Sequence, residues 1–229
     1  MMYSLPDQFR ALVIGASGTI GAAFVELLGE SPRCAAVLGL QRPQLDFADE
    51  DSVARCAREL AEGPRFHLII NAAGMLHSEQ FMPEKRLADL NYAQMRATFE
   101  ANTFGPALAL RHFAPLLDRE RAVMAMLSAK VGSIGDNRLG GWYSYRASKA
   151  ALNMMIRTAA IEVARNAPHS VLVALHPGTV NSRLSRPFKG ERIGRPARVA
   201  AADMLAVLDT LTAADSGTFR SYDGATLPW

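Results

Sequence analysis

At 229 residues, 49% hydrophobic and 21% charged, the chain has the size and composition of one well-packed globular domain, not of a disordered or fibrous protein. The formal net charge of +3 comes from scattered basic residues, densest at Arg183, Arg186, Lys189, Arg192, Arg195 and Arg198, which argues against a nucleic-acid partner and fits a small anionic ligand. Residues 1–7 carry no secretory leader, no apolar run is long enough to span a membrane, and Cys34 and Cys56 lack metal-ligand spacing, so the chain reads as cytoplasmic, without membrane or metal.

Ala-Leu-Val-Ile at 11–14 has the unbroken apolar pattern of a parallel strand buried on both faces. It runs directly into Gly15, Ala16, Ser17, Gly18, Thr19, Ile20 and Gly21, and a helix is predicted over 22–28, closed by Gly29. In a strand–turn–helix context, glycines let the backbone approach a pyrophosphate, and the free N–H groups of the first helical turn meet its charge. A tight turn of small packing residues is the bland alternative. The second strand, 35–40, ends at Gln41 and Arg42, where dinucleotide folds place an acid on the 2′-hydroxyl of NAD. No acid stands there; Arg42 is either the partner of an NADP 2′-phosphate or a solvated surface residue.

A brief stretch, Leu45-Asp46-Phe47, precedes a helix over 49–60 that stops at Gly63-Pro64. The strand at 66–70 leads into Asn71, Ala72, Ala73 and Gly74, small residues that leave room for a flat cofactor, and His67 within it reads as a packing residue. Residues 83–117 are expected to be mostly helical, with Asn102 and Gly105-Pro106 marking a kink or a polar task. A strand at 122–127 ends at Ser128 and Ala129. A glycine-punctuated loop with Ser133 then leads to a long helix ending near Asn166. On that helix Tyr145 and Lys149, four apart, point the same way. Leu152, Ile156 and Val163 follow on the same face, with Met155 and Ala159 beside them. A lysine aligned with a core-facing stripe is unusual, since lysine is rarely buried without a partner. Strand 170–175 is broken by His176, Pro177 and Gly178; residues 179–194, polar and non-periodic, read as a mobile loop. A helix from Pro196 to about Leu211 and a short strand at 218–222 complete the chain. The alternation predicts an α/β fold: one domain over 1–229 with a doubly wound parallel sheet in three α/β/α layers.

In this order, Gly15…Gly21, Asn71-Ala72-Ala73-Gly74, Asn102, a serine-bearing strand end, Tyr145-x-x-x-Lys149 and Pro177-Gly178 resemble the short-chain dehydrogenase/reductase family over essentially the whole chain. Residues 128–134 and 140–149 are most similar to its C-factor and sniffer-type carbonyl-reductase branch. The resemblance implies a Rossmann-like oxidoreductase that interconverts a carbonyl and an alcohol with NADP(H), favoured over NAD(H). It also implies a homodimer or homotetramer built on the helices near 92–117 and 145–165. It puts Asp46 and Phe47 near the adenine, and Val180 and Ser182, after Pro177 and Gly178, near the nicotinamide carboxamide and phosphates. By the same resemblance Tyr145 is the acid/base, Lys149 tunes it and binds the ribose, Asn102 holds a relay water, and a serine orients the substrate oxygen. A cation about 4 Å from a phenol supplies about 4 kcal/mol at an effective dielectric near 20, enough to lower its pKa by about three units.

Two departures stand out. Thr19 occupies the place of the main group's second glycine, with Gly18 one position early, as in extended relatives whose larger substrate domain this length excludes. The usual catalytic serine falls on Ala129, so either Ser128 or Ser133 takes its role, Ser133 being favoured by its spacing to Tyr145. Substrate contacts are expected from the loop at about 179–195, from 75–83 and from 133–142. There Trp142, Tyr143, Leu184 and Phe188 fit an apolar or aromatic carbonyl compound, although core packing explains them equally well. The rival reading is a non-catalytic dinucleotide-binding protein of signalling or redox-sensing type.

Overall fold

The computed structural model describes residues 2–229. Six strands form one sheet: β1 (Phe9–Ile14), β2 (Cys34–Leu40), β3 (Leu68–Asn71), β4 (Val123–Leu127), β5 (Val171–His176) and β6 (Phe219–Ser221). All neighbouring pairs are parallel, in the order β2-β1-β3-β4-β5-β6. A parallel sheet is covered on both faces, which is why its strands read as continuous apolar runs. Alternate residues feed two cores. Ala11, Val13, Ile70, Ala125 and Val173 pack under α1 (Thr19–Gly29) and, further on, α7 (Ala197–Thr210). Leu12, Ile69, Met124 and Leu172 pack under α2 (Glu50–Ala61), α4 (Gly105–Phe113) and α5 (Tyr143–Asn166). The expected three-layer, doubly wound, Rossmann-like architecture is therefore present. Its strand order reverses between β1 and β3, and the carboxyl ends of those strands open the crevice in which such sheets bind ligands.

The stretch Leu45-Asp46-Phe47 is irregular; Leu45 is buried, and the Phe47 ring occupies the space a Cβ on Gly105 would need. Three local expectations need correction. The third strand begins at Leu68, two residues later than its apolar run suggested, because His67 turns aside and its Nδ1 accepts the Arg10 N–H at 3.1 Å. This contact fits its reading as a packing residue. The region from 83 holds only a 3-10 turn (Leu87–Asp89) before α3 (Tyr92–Phe99), whose N-cap Asn91 accepts the Gln94 N–H at 2.9 Å. A five-residue π-helical turn, Glu100–Phe104, then joins α3 to α4, which places Asn102 inside the expected irregularity. Finally, 179–194 is folded: a 3-10 turn (Arg186–Phe188) and the short helix α6 (Gly190–Ile193) lie between paired Val180 and Arg195. Main-chain turns carry most of its hydrogen bonds, and serine side chains add others. Ser185 Oγ donates to the Val180 carbonyl at 2.5 Å and accepts the Ser182 N–H at 3.1 Å, a kind of order that leaves no hydrophobic period to read.

Tyr145, Lys149, Leu152, Ile156 and Ala160 form the buried stripe of α5, with Ala159 and Val163 half-buried. Met155 does not join it; it is exposed on the flank of a groove between α4 and α5. No helix of the described residues is long and apolar enough to cross a membrane.

Candidate active site

At the carboxyl end of β1 the chain turns at Gly15, whose N–H donates to the Leu40 carbonyl at 2.8 Å, tying the turn to the end of β2. Gly15 has φ +83°, and a Cβ there would lie 2.7 Å from the Ala73 nitrogen; one on Gly21 would lie 2.1 Å from the Gly15 carbonyl oxygen. Only hydrogen fits at either place, so α1 starts tight against the strand ends. Its N-cap, Gly18, supplies no capping side chain, and among the described residues the N–H groups of Thr19, Ile20 and Gly21 have no carbonyl partner. They are donors aimed outward from a helix N-terminus, the arrangement that suits a phosphate.

A cavity of about 650 Å³ opens beside this turn. Gly15, Ser17 and Gly18 line it from the turn, Gln41, Arg42, Asp46 and Phe47 from beyond β2, and Ala72, Ala73 and Gly74 from beyond β3. Arg42 makes no ion pair with a carboxylate among the described residues. Asn71 is buried below the cavity floor, its Oδ1 accepting the Ala73 N–H at 3.1 Å. Leu45, His77, Ser78, Ala97, Glu100 and Ala101 also stand in the wall. Of these, Leu45 belongs to the stretch noted before α2, and His77 and Ser78 to a region expected to meet substrate; Ala97, Glu100 and Ala101 carry no sequence signal.

The cavity's inner end meets the buried polar cluster through Gly74: a Cβ there would lie 3.2 Å from Asn102 Oδ1 and 3.4 Å from Lys149 Nζ. Asn102 is fully buried. Its Oδ1 accepts the Met75 N–H at 2.8 Å, and its Nδ2 donates to the Met75 carbonyl at 2.7 Å and to Ser148 Oγ at 3.2 Å. Thr103 adds a bond from its hydroxyl to the Ser148 carbonyl at 2.9 Å, so the π turn is stitched to α5 one residue before Lys149. Pro106, four residues after Asn102, has no N–H to give to the Asn102 carbonyl, which explains locally why the helix widens there.

Tyr145 and Lys149 are both buried, at 9% and 4% exposure. The Lys149 ammonium lies 5.9 Å from the centre of the Tyr145 ring and donates to the Leu127 carbonyl at 3.0 Å. The expected lowering of the phenol does not arise from the protein by itself. Burial pushes the Tyr145 phenol above its ordinary value and pulls Lys149 down from 10.5 to about 8. The reason is physical: desolvation penalises the charged form of both groups, which disfavours the phenolate and the ammonium alike. His176, at the end of β5, accepts the Lys130 N–H on Nδ1 at 3.2 Å; burial first, and then Lys130, pulls it down to about 4, so it is neutral at physiological pH.

Neither serine hydroxyl is bonded to Tyr145. Ser128 Oγ donates to Asn153 Oδ1 at 2.6 Å, and Ser133 Oγ donates to the Trp229 main-chain oxygen at 3.2 Å while accepting the Asp136 N–H at 3.1 Å. Beyond β5, Pro177 and Gly178 sit with Gly178 against the Tyr222 ring, while Val180 is buried and Ser182 is occupied with Ser185; none of the four lines the cavity. Over the phenol lies a row of edge-on rings. Trp142 is 6.2 Å from Tyr145 and 4.9 Å from Phe188, which is 6.0 Å from His77.

Comparison with known proteins agrees with this arrangement. The family model described as "Enoyl-(Acyl carrier protein) reductase", of the short-chain dehydrogenase type, matches residues 26–215. The chain is 35% identical over 188 residues to a 1-hydroxy-2-glutathionyl-2-methyl-3-butene dehydrogenase of Rhodococcus sp. (strain AD45), covering 82% of this chain and 79% of that protein. It is 37% identical over 145 residues to the C-signal protein of Myxococcus xanthus, covering 62% of this chain and 83% of that one. NADPH-bound carbonyl reductase from chicken fatty liver superposes with a TM-score of 0.84 at 26% identity, over 98% of this chain and 96% of that one. The carbonyl reductase Sniffer of D. melanogaster shares the fold at a TM-score of 0.84 and 20% identity, over 97% and 100% of the two chains. This chain belongs to the short-chain dehydrogenase/reductase family.

Proposed function

We propose that this oxidoreductase interconverts a carbonyl and an alcohol using NADP(H), with Tyr145 as the acid/base. The observation that carries the reading is that Gly74, which lines a cavity edged by a bare glycine turn with free N–H donors, stands against the ammonium of Lys149, which shares the buried stripe of α5 with Tyr145. The residues present fit a dinucleotide. Gly15, Gly18 and Gly21 let a pyrophosphate reach the backbone, Asp46 and Phe47 border the adenine end, and Arg42 is free to meet a 2′-phosphate. When bound, the nicotinamide supplies the hydride acceptor or donor.

The chain's own part is the proton. In reduction the Tyr145 phenol gives its proton to the carbonyl oxygen, and in oxidation the phenolate takes it back. Burial alone favours the protonated phenol, which suits the acid role. Lys149 offsets part of the cost of the phenolate and, where it leaves the Leu127 carbonyl, reaches the ribose. Because the Asn102 side chain is closed on Met75 and Ser148, its main-chain carbonyl is the group left to hold a relay water. Pro177, Gly178, Val180 and Ser182 remain the proposed nicotinamide-side contacts. The row from His77 through Phe188 and Trp142 favours an apolar or aromatic carbonyl substrate. The groove of about 670 Å³ between α4 and α5, floored by Ala159 and Val163, supports the homo-oligomer that the family resemblance implies.

A second reading, dinucleotide binding without turnover, is favoured by Ala129 at the serine position, by the occupied hydroxyls of Ser128 and Ser133, and by the similarity to the C-signal protein. NADPH oxidation over a panel of aldehydes, ketones and a glutathione-bearing carbonyl, the last chosen for the Rhodococcus relative, decides between them. Turnover that is lost in Tyr145→Phe while NADPH binding persists supports the enzyme. NADPH binding with no turnover of any member supports the sensor.

A further inference from the structure

We propose that Glu84 is a positioning residue of this site. It caps α5 from outside the helix and so holds Trp142, in a left-handed conformation, against Tyr145. The inference rests on the oxidoreductase reading of Tyr145 and adds to it what keeps the phenol's surroundings in place.

Helix α5 begins without a cap of its own. Trp142 stands at the N-cap with φ +53° and ψ +44° and makes no side-chain capping bond. The left-handed region costs a bulky L-residue about 1–2 kcal/mol. Gly140 and Gly141 before it also have positive φ, 63° each, so three residues in succession turn the unusual way. Two side chains hold them there. Arg146, one turn into the helix, donates from Nε to the Gly141 carbonyl at 2.9 Å, from Nη2 to the Gly140 carbonyl at 3.1 Å and from Nη1 to the Val131 carbonyl at 3.1 Å.

Glu84 holds the other side. Its main-chain carbonyl accepts the Trp142 N–H, and its carboxylate accepts both the Ser144 N–H at 3.2 Å and the Ser144 hydroxyl, across 60 positions of sequence. Glu84 is only 2% exposed and has no cationic partner among the described residues. A buried carboxylate is expensive, and a serine or aspartate at position 142 would cap the helix more cheaply. The arrangement frees position 142 for an indole, and that indole is the ring in contact range of the phenol. The same crossover carries His77, at the other end of the aromatic row, so one segment fixes both ends of it.

The test uses the full chain with Glu84→Ala and Glu84→Gln. NADPH and the best carbonyl of the panel serve as substrates, and Trp142 emission is read in a Trp229→Phe background, which leaves Trp142 as the sole tryptophan. Glu84→Ala should lower kcat by about 10- to 100-fold, leave KM for NADPH within about threefold, and shift Trp142 emission as the indole leaves the row. Glu84→Gln keeps the shape and an acceptor, so it should restore kcat to within about fivefold and return Trp142 emission to its wild-type position. A Glu84→Ala variant that is less heat-stable but unchanged in kcat and in emission would make Glu84 a helix cap and nothing more. If that variant does not fold, Ser144→Ala, which removes the hydroxyl bond to the Glu84 carboxylate, decides: lowered kcat with shifted Trp142 emission supports the proposal, and both unchanged overturn it. If the wild type turns over no carbonyl, the oxidoreductase reading fails by itself. Trp142 emission, with and without these substitutions, then still tests the positioning.

Discussion

The turn between β1 and α1 and the turn at the head of α5 each start a helix, and they are held by different physics. The first is made of backbone. Its parts lie within seven consecutive residues, and its requirement is that nothing larger than hydrogen occupy Gly15 and Gly21. The second is made of side chains from distant segments: Glu84 from before α3, Asn102 from the π turn, Arg146 and Lys149 from α5 itself. A backbone site breaks when a Cβ is added. A side-chain site breaks when a charge or a donor is removed, and it stores the desolvation cost of its buried groups. Predictions can therefore be set against one another across the two turns.

The largest effect is expected in the backbone turn. In Gly21→Ala the new Cβ would lie 2.1 Å from the Gly15 carbonyl oxygen, so the helix must back away from the strand end. NADPH affinity, read by fluorescence titration, should fall at least about 100-fold, with a loss of about 1–3 kcal/mol in unfolding free energy from overpacking. NADPH binding within threefold of wild type would show that the turn is not the phosphate cradle.

The side-chain turn should respond in the opposite sense on stability. Lys149 is held at about 8 against an ordinary 10.5, so between those values the unfolded chain keeps a proton that the native state has released. Stability from this group therefore rises as pH goes from 8 to 10.5, and below 8 the native state carries a buried ammonium at a cost of about 3 kcal/mol. Lys149→Met should abolish turnover yet raise stability at pH 7 by about 2 kcal/mol, after about 1 kcal/mol for the lost bond to the Leu127 carbonyl. The gain should vanish by about pH 10.5. Chemical denaturation across that range checks the sign, and a destabilised variant at pH 7 would contradict it.

Arg42→Ala tests the cofactor cavity at its rim. KM for NADPH should rise about tenfold, the loss of one exposed phosphate contact, while KM for NADH stays within about twofold. Equal effects on both cofactors would remove Arg42 from the 2′-phosphate. The smallest change is expected from Ser133→Ala, within about threefold in kcat, because its hydroxyl is already committed to the Trp229 main-chain oxygen. A loss of about 100-fold would mean that Ser133 swings to the substrate and replaces the serine absent at Ala129.

Local patterns accounted for much of this protein when read from sequence. The unbroken apolar runs in β1, β4 and β5 marked strands buried on both faces, and the alternation of strands with helices dictated the parallel winding. The glycine turn and the Tyr145–Lys149 spacing were legible because each depends on neighbours within one or two turns of chain. Where order came from elsewhere, the reading slipped. Met155 follows the helical period yet remains exposed, because α5 packs on a narrower stripe than its apolar residues offer. Residues 179–194 fold on main-chain turns and serine hydroxyls, which leave no hydrophobic period to read.

Sequence by itself determined the sheet, the crevice at its strand ends and the residue types within reach of it, since backbone conformation and hydrophobic periodicity are local. Tertiary structure alone decided that Glu84, 60 positions away from Ser144, caps the helix of Tyr145, that both candidate serines face other partners, and that burial raises the phenol instead of lowering it. Desolvation and long-range hydrogen bonds depend on what surrounds a group in space, and that is set only when the chain closes on itself.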